Sequence, residues 1–268
     1  MINIPRQMGR RWRCAIAGIA LQATDLMLAR ACGGCAQAFA PGQATAGWCS
    51  PCLRAITCER PRCQRCGLES HQTPCSHCLA APLPFEHTVV LGAYQPPLDR
   101  IIRVFKFGRQ PALGRALAAA LAPRVSHALL HWPPTRSPPI VVAIPLAHER
   151  LAERGYNQSL LIARSLATRC GLGLSPGALR RTRAGQPQSS LSRGARQPNI
   201  AHAFVAAQPL SQPVLLVDDV MTTGATLIAA SRALLEAGAP SVTCAVIART
   251  PPPDLTPLPD VSRRPGSS

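Results

Sequence analysis

The sequence predicts an α/β fold, a parallel sheet covered by helices, with a small metal-organised module at its N-terminal side. Three observations carry that expectation. Short apolar runs alternate with helix-spaced segments from residue 84 to residue 250. One run, Val214-Leu215-Leu216-Val217, has no polar break, as in a strand buried on both faces. Four Cys-x-x-Cys pairs lie together between residues 32 and 78. The expected organisation is a helix over 1–30, the cysteine module over 31–80, the α/β domain over 84–250 and a disordered Pro-rich tail over 251–268.

A chain of 268 residues is long enough for one full α/β domain and a smaller module. Its formal net charge is +17, nearly all of it from arginine, because Lys106 is the only lysine. A surface this basic favours polyanions. Aromatic residues make up 4%, which counts against a stacking platform lined by many rings. Residues 15–28 are apolar after Arg10, Arg11 and Arg13, but Gln22, Thr24 and Asp25 interrupt them. The run is short for a bilayer, so it reads as a helix lying against the next module, with a membrane-surface helix as the alternative. No integral membrane segment and a cytoplasmic location are expected.

Each Cys-x-x-Cys forms a knuckle that points two thiolates at one metal, and two knuckles complete a tetrahedral site. In sequence order Cys32, Cys35, Cys49 and Cys52 make one zinc site, and Cys63, Cys66, Cys75 and Cys78 the other. A crossed pairing has the same spacing. Four thiolates leave no open position, so the zinc is structural. Cys58 falls between the two sets as a spare. Cys14, Cys170 and Cys244 have apolar neighbours and read as core, while His71 and His77 read as surface.

Pro82-Leu83-Pro84 reads as a linker. Residues 87–94 follow as a strand, and 98–107 as a helix with Ile101, Ile102 and Phe105 on one face. Then come a helix at 112–125, a Pro-rich loop at 131–139, a strand at 140–144, a helix at 160–167 and a last strand at 242–247.

The chemistry gathers after the run at 214–217. Asp218 and Asp219 stand at the strand's C-terminal end, where open α/β sheets bind ligands. Thr222, Thr223, Gly224, Ala225 and Thr226 then lead into a helix-like stretch. Such a turn aims N–H groups and the positive end of a helix dipole at an anion, with hydroxyls beside them. The paired carboxylates suit ligand hydroxyls or a hydrated cation. A Walker-B-like strand of a nucleotide hydrolase is a weak alternative, because the only lysine, Lys106, lies in Phe105-Lys106-Phe107-Gly108, which is no P-loop; a Gly-x-Gly-x-x-Gly dinucleotide fingerprint is also missing after any apolar run.

Two further segments carry cations. Arg150 and Arg154, in the stretch 145–158 after the strand at 140–144, suit a pyrophosphate by bidentate contact. The same spacing fits a solvated helix face on which Glu149 and Glu153 pair with them. The loop at 175–199 holds Arg180, Arg181, Arg183, Arg193 and Arg196 with no acid. It reads as a lid over a phosphorylated ligand.

The stretch from Asp218 to Thr226 resembles the phosphoribosyl pyrophosphate (PRPP) motif of type I phosphoribosyltransferases. Together with the four knuckles, Lys106, Arg154-Gly155-Tyr156-Asn157-Gln158, Leu179-Arg180-Arg181-Thr182-Arg183, Gln188, Leu191-Ser192-Arg193, Arg196, Asn199 and Phe204, it is similar to the ComF family, also called ComFC or GntX-like proteins. That resemblance implies a double zinc ribbon before a type I phosphoribosyltransferase-like domain. It implies that Asp218 and Asp219 hold ribose hydroxyls and that residues 222–226 wrap the 5′-phosphate. Arg150, Arg154 and Lys106 would face pyrophosphate, with magnesium between. It also implies single-stranded DNA and other competence proteins as partners, in natural competence. The alternatives are a non-catalytic DNA-binding accessory that senses PRPP, and a nucleotide-salvage transferase. Arg60, Arg62 and Arg65 of the ribbons are further candidates for DNA phosphates, and Trp48 and Tyr156 for stacking on bases.

Overall fold

A computed structural model describes residues 31–39, 47–57, 60–133, 136–182 and 203–251 of the protein. The helix expected over 1–30, Cys14, Cys58, the arginines from Arg183 to Arg196 and the tail beyond residue 251 lie outside the described residues.

Among the described residues six strands are formed: β1 (His87–Ala93), β2 (Ile140–Ala143), β3 (Leu179–Arg181), β4 (Phe204–Ala206), β5 (Val214–Met221) and β6 (Val242–Arg249). Four of them make a parallel sheet in the order β1-β6-β5-β2. Val217 sits in the middle, in register with Ala143 on one side and Ala245 on the other. Side chains of a strand alternate between faces. Leu215 and Val217 accordingly join one core with Val141, Ala245, Ile102, Leu117 and Leu166. Val214 and Leu216 join a second core with Val142, Val246, Leu227 and Leu234. The unbroken apolar run has this cause: both faces are covered.

The helices are α1 (Ser50–Ile56), α2 (Ser76–Ala80), α3 (Leu98–Phe107), α4 (Ala112–Leu130), α5 (His148–Arg154), α6 (Gln158–Cys170) and α7 (Ala225–Glu236). α3, α4 and α6 cover the first face and α7 the second. The segment from Arg154 to Gln158 turns sharply between α5 and α6. Gly155 ends α5 at φ 78°, a left-handed backbone that glycine adopts without strain. Asn157 then caps α6 by accepting from the Leu160 N–H, while its Nδ2 donates to the Ile144 carbonyl at 3.0 Å.

The segment expected as a loop from residue 175 begins differently. Leu179–Arg181 is a strand, paired antiparallel with Phe204–Ala206. Leu179 and Phe204 are buried in the second core, and that burial outweighs the polar composition around them. Cys170 and Cys244 are buried, as expected of core residues, and His71 and His77 are exposed.

The cysteine module shares its core with the sheet. Cys32, Trp48 and Ile56 belong to the same apolar cluster as Leu91, Leu117 and Val217. Trp48 is fully buried, and its Nε1 donates to the Ala116 carbonyl of α4 at 2.8 Å. Among the described residues no helix is long and apolar enough to cross a membrane.

Candidate functional site

Strand β5 delivers two acids to the C-terminal edge of the sheet. Asp219 is buried, and its Oδ1 lies 3.1 Å from Nζ of Lys106, in the last turn of α3. Asp218, part-buried, accepts at Oδ1 from the Ser159 hydroxyl at 2.8 Å and from the Asp219 N–H at 2.8 Å. Three elements therefore meet here: the end of α3, the start of α6 and the end of β5. Burial and the neighbouring Asp219 carboxylate push the Asp218 carboxyl up to about 7, against the Ser159 hydroxyl, the Asp219 N–H and the Lys106 ammonium. Ser159 carried no signal in the sequence, since a serine in a helix's first turn is commonplace.

β5 runs directly into the 222–226 loop. Gly224 stands at φ 86° and serves as the N-cap of α7. A Cβ there would lie 2.8 Å from Cε of Met221, the free end of a flexible side chain that can shift, so it is the left-handed backbone that calls for glycine. Thr222 and Thr223 are exposed, and Oγ1 of Thr223 accepts from the Ala225 N–H at 3.3 Å. The first turn of the 12-residue α7 contains no acid, so its positive end is left for an anion.

One residue at this edge was missed from the sequence. Arg249 ends β6, opposite Met221 in the register, and is buried. Its Nη1 donates to the Met221 carbonyl at 3.0 Å, to the Thr250 carbonyl at 2.8 Å and to the Thr222 carbonyl. Its Nε donates to the Cys66 carbonyl at 3.0 Å. An arginine closing a strand looks like any surface cation; only the β5–β6 register puts it under the loop.

The eight knuckle cysteines fall into two sets in sequence order. Cys32, Cys35, Cys49 and Cys52 have all sulfurs within 4.8 Å of one another, as do Cys63, Cys66, Cys75 and Cys78. Sγ–Sγ separations are 3.6 Å for Cys32 and Cys49, 3.5 Å for Cys66 and Cys75, and 3.9 Å for Cys63 and Cys78. Four sulfurs about 2.3 Å from a tetrahedral zinc ion stand about 3.8 Å apart, so both sets fit that metal. At Cys32 burial raises the thiol, but N–H groups of Cys49, Cys35 and Gly34 outweigh it and bring the pKa down to about 6. Cys63 is likewise about 6, under the N–H groups of Cys66, Cys75 and Arg65. Burial pushes Cys52, Cys66 and Cys78 up instead, so each set favours one thiolate and a bound divalent ion would have to deprotonate the rest.

Comparison with known proteins bears on the whole arrangement. The Phosphoribosyl transferase domain family matches residues 157–258. The DNA utilization protein YhgH of Escherichia coli strain K12 is 34% identical over 207 residues, 76% of this chain and 91% of its own. YhgH of Salmonella typhimurium is also 34% identical over 207 residues. Competence protein F of Haemophilus influenzae is 32% identical over 198 residues, 72% of this chain and 86% of its own. The chain belongs to the ComF family. In ComF terms the acid pair, the 222–226 loop and Arg249 all lie in the phosphoribosyltransferase domain, and the two cysteine sets suit the ribbon before it.

The other candidate residues of this ComF protein are placed unevenly. Lys106 reaches the acids. Arg154 donates from Nη1 to Oε1 of Gln158 at 3.2 Å, and its Cζ lies 5.0 Å above the Phe107 ring. Arg150 is exposed on α5. Among the described residues neither pairs with Glu149 or Glu153, so the mutually paired helix face is not what forms. Arg180 and Arg181 are exposed on β3, with Arg181 over the Phe204 ring at 5.4 Å. The ribbon arginines are engaged within the chain: Arg60 bonds Glu69 at 3.0 Å, Arg62 the Gly67 carbonyl at 3.0 Å, and Arg65 the Leu83 carbonyl of the linker at 2.9 Å. Trp48 is a correction, because it is fully buried in the core; the part-buried Tyr156 donates its hydroxyl to the Phe105 carbonyl.

Proposed function

We propose that this ComF protein binds PRPP and transfers its phosphoribosyl group, in the handling of single-stranded DNA. One observation carries the reading: an acid pair held by Lys106 and Ser159 stands directly before a glycine-turned, hydroxyl-lined helix start. Asp218 and Asp219 would accept from the two ribose hydroxyls. The N–H groups of residues 222–226 would donate to the 5′-phosphate. Lys106, Arg150 and Arg154 would offset the charge of the pyrophosphate group. In the reaction a nucleophile's electron pair bonds to C1 of the ribose while the C1–oxygen bond to pyrophosphate breaks. Magnesium, when bound with PRPP, supplies further charge on the departing oxygens. The chain's own part is positioning and electrostatic stabilisation.

The DNA part draws on other support. The relatives are a DNA utilization protein and a competence protein. The chain's charge of +17 and the exposed Arg180 and Arg181 suit a phosphate backbone. A cytoplasmic location belongs to the same reading, because four-thiolate sites need reduced cysteines.

Thermal shift tests the ligand. PRPP with magnesium at 100 times its Kd should stabilise the protein by about 2.7 kcal/mol through mass action. Asp218→Ala with Asp219→Ala should abolish that shift; an undiminished shift places the ligand elsewhere. Release of pyrophosphate in the presence of single-stranded DNA or free bases separates transfer from mere sensing of PRPP.

A further inference from the structure

Arg249 holds a cation where none is expected. It ends an inner strand, it is 4% exposed, and no carboxylate among the described residues pairs with it. A buried guanidinium is costly unless its donors are taken up. The N–H groups of Nε and Nη1 are taken up by main-chain carbonyls from separate parts of the chain. Nε donates to Cys66, inside the ribbon, and Nη1 to Met221 and Thr222, where β5 becomes the loop. One side chain spans from a metal-ligand knuckle to the candidate phosphate cradle.

The knuckle is itself seated firmly. A Cβ on Gly67 would lie 2.4 Å from Cγ2 of Val90, so this turn lies directly on β1. The Thr88 N–H donates to the Gln64 carbonyl at 2.8 Å, and its hydroxyl to the Arg65 carbonyl at 2.7 Å. The Cys66 carbonyl is thus placed by strand β1 on one side and by the gathering of four sulfurs on the other. A tetrathiolate around a divalent ion also carries net negative charge, which favours a guanidinium beside it. The first cysteine set is anchored elsewhere. Trp48 next to it bonds α4, and among the described residues no side chain links that set to the loop.

We propose that Arg249 is a positioning residue that couples the second cysteine cluster to the 222–226 loop, so that metal held by Cys63, Cys66, Cys75 and Cys78 sets the shape of the phosphate-binding backbone. The proposal rests on reading that loop as the PRPP cradle. Metal draws the knuckle closed, the knuckle fixes Cys66, Cys66 fixes Nε of Arg249, and Nη1 fixes the first carbonyls of the loop. Coupling of this kind is reciprocal, so a ligand on the loop also retains metal in the second cluster.

Three full-length variants test it. Cys35→Ser removes a ligand from the first cluster, and Cys75→Ser removes one from the second. Arg249→Lys keeps the charge and loses the planar fork. Hydrogen exchange of the loop amides should speed up by about tenfold or more in Cys75→Ser and Arg249→Lys, and stay unchanged in Cys35→Ser. In the wild type, PRPP with magnesium should slow zinc release from one of the two clusters, read with a chromogenic chelator. Arg249→Lys should lose that protection while still carrying both ions. Unchanged loop exchange in Arg249→Lys, or an equal rise in Cys35→Ser, overturns the coupling. If PRPP protects nothing in the wild type while loop exchange still responds to Cys75→Ser and Arg249→Lys, the coupling stands and the PRPP reading fails. Should either of those two variants not fold, the other decides.

Discussion

The Ser159 hydroxyl donates to Oδ1 of Asp218 across 2.8 Å and so ties the first turn of α6 to the end of β5. This bond favours the charged form of a carboxyl that its surroundings otherwise push toward neutrality. Asp219 is held instead by Lys106, whose Nζ lies 3.1 Å from its Oδ1. Two adjacent acids on one strand thus have different partners, each supplied by a different helix.

The first prediction is a pH dependence. Asp218 is raised from its ordinary 3.8 to about 7, so the folded state holds more protons than the unfolded state between those values. For the ligand-free protein this group's contribution therefore falls as pH rises through that window. Asp218→Asn should show a flatter melting temperature between pH 4 and pH 7 than the wild type, as the same window implies. Ser159→Ala should move the midpoint upward, because a bond to the charged form is lost. Matching pH profiles for Asp218→Asn and wild type by calorimetry would show that Asp218 does not titrate there.

The second concerns Gly224. Alanine at φ 86° should cost about 1–2 kcal/mol in urea unfolding. It should also remove most of the PRPP-induced thermal shift. A variant of full stability and full ligand response would refute the need for glycine there.

The third is metal content. Purified protein should carry about two zinc ions per chain, at four thiolates per ion. Cys49→Ser should lose one ion and lower the melting temperature. A folded preparation free of metal, made without chelator, would be decisive against the ribbon reading.

The fourth is a salt slope. Single-stranded DNA should bind with an affinity that falls steeply with salt. Neutralising Arg180, Arg181 and Arg183 together should flatten the log–log slope by about 2, at about 0.7 per phosphate contact. An unchanged slope removes these arginines from the DNA interface.

What could be read in advance followed from local chemistry. The spacing of the knuckles, the apolar run at 214–217 and the turn at Gly224 each state their structure within a few residues. What could not be read depends on contacts between distant segments. Arg249 and Cys66 meet across 183 positions, and Ser159 and Asp218 across 59. Lys106 suited an exposed helix as well as an active site until the sheet brought α3 beside β5. Arg60, Arg62 and Arg65 looked free because their partners are mainly backbone carbonyls and Glu69, none of them marked by composition. The strand at Leu179–Arg181 escaped because its partner lies beyond a long polar stretch.

The strand order has a consequence for the nascent chain. β1 is the first strand of the sheet to leave the ribosome, and among the described residues it pairs only with β6, the last. His87 must wait for Thr243, and Ala93 for Arg249. The cysteine knuckles can close as soon as they are synthesised, but the seat that β1 offers them is incomplete until residues 242–249 arrive. During that interval β1 exposes both of its edges, and an open edge invites pairing with another chain. Long-range closure also makes the final step slow relative to a locally connected fold. Translation that stalls before residue 242 therefore yields a chain with a bare strand edge, a substrate for chaperones or aggregation rather than for PRPP.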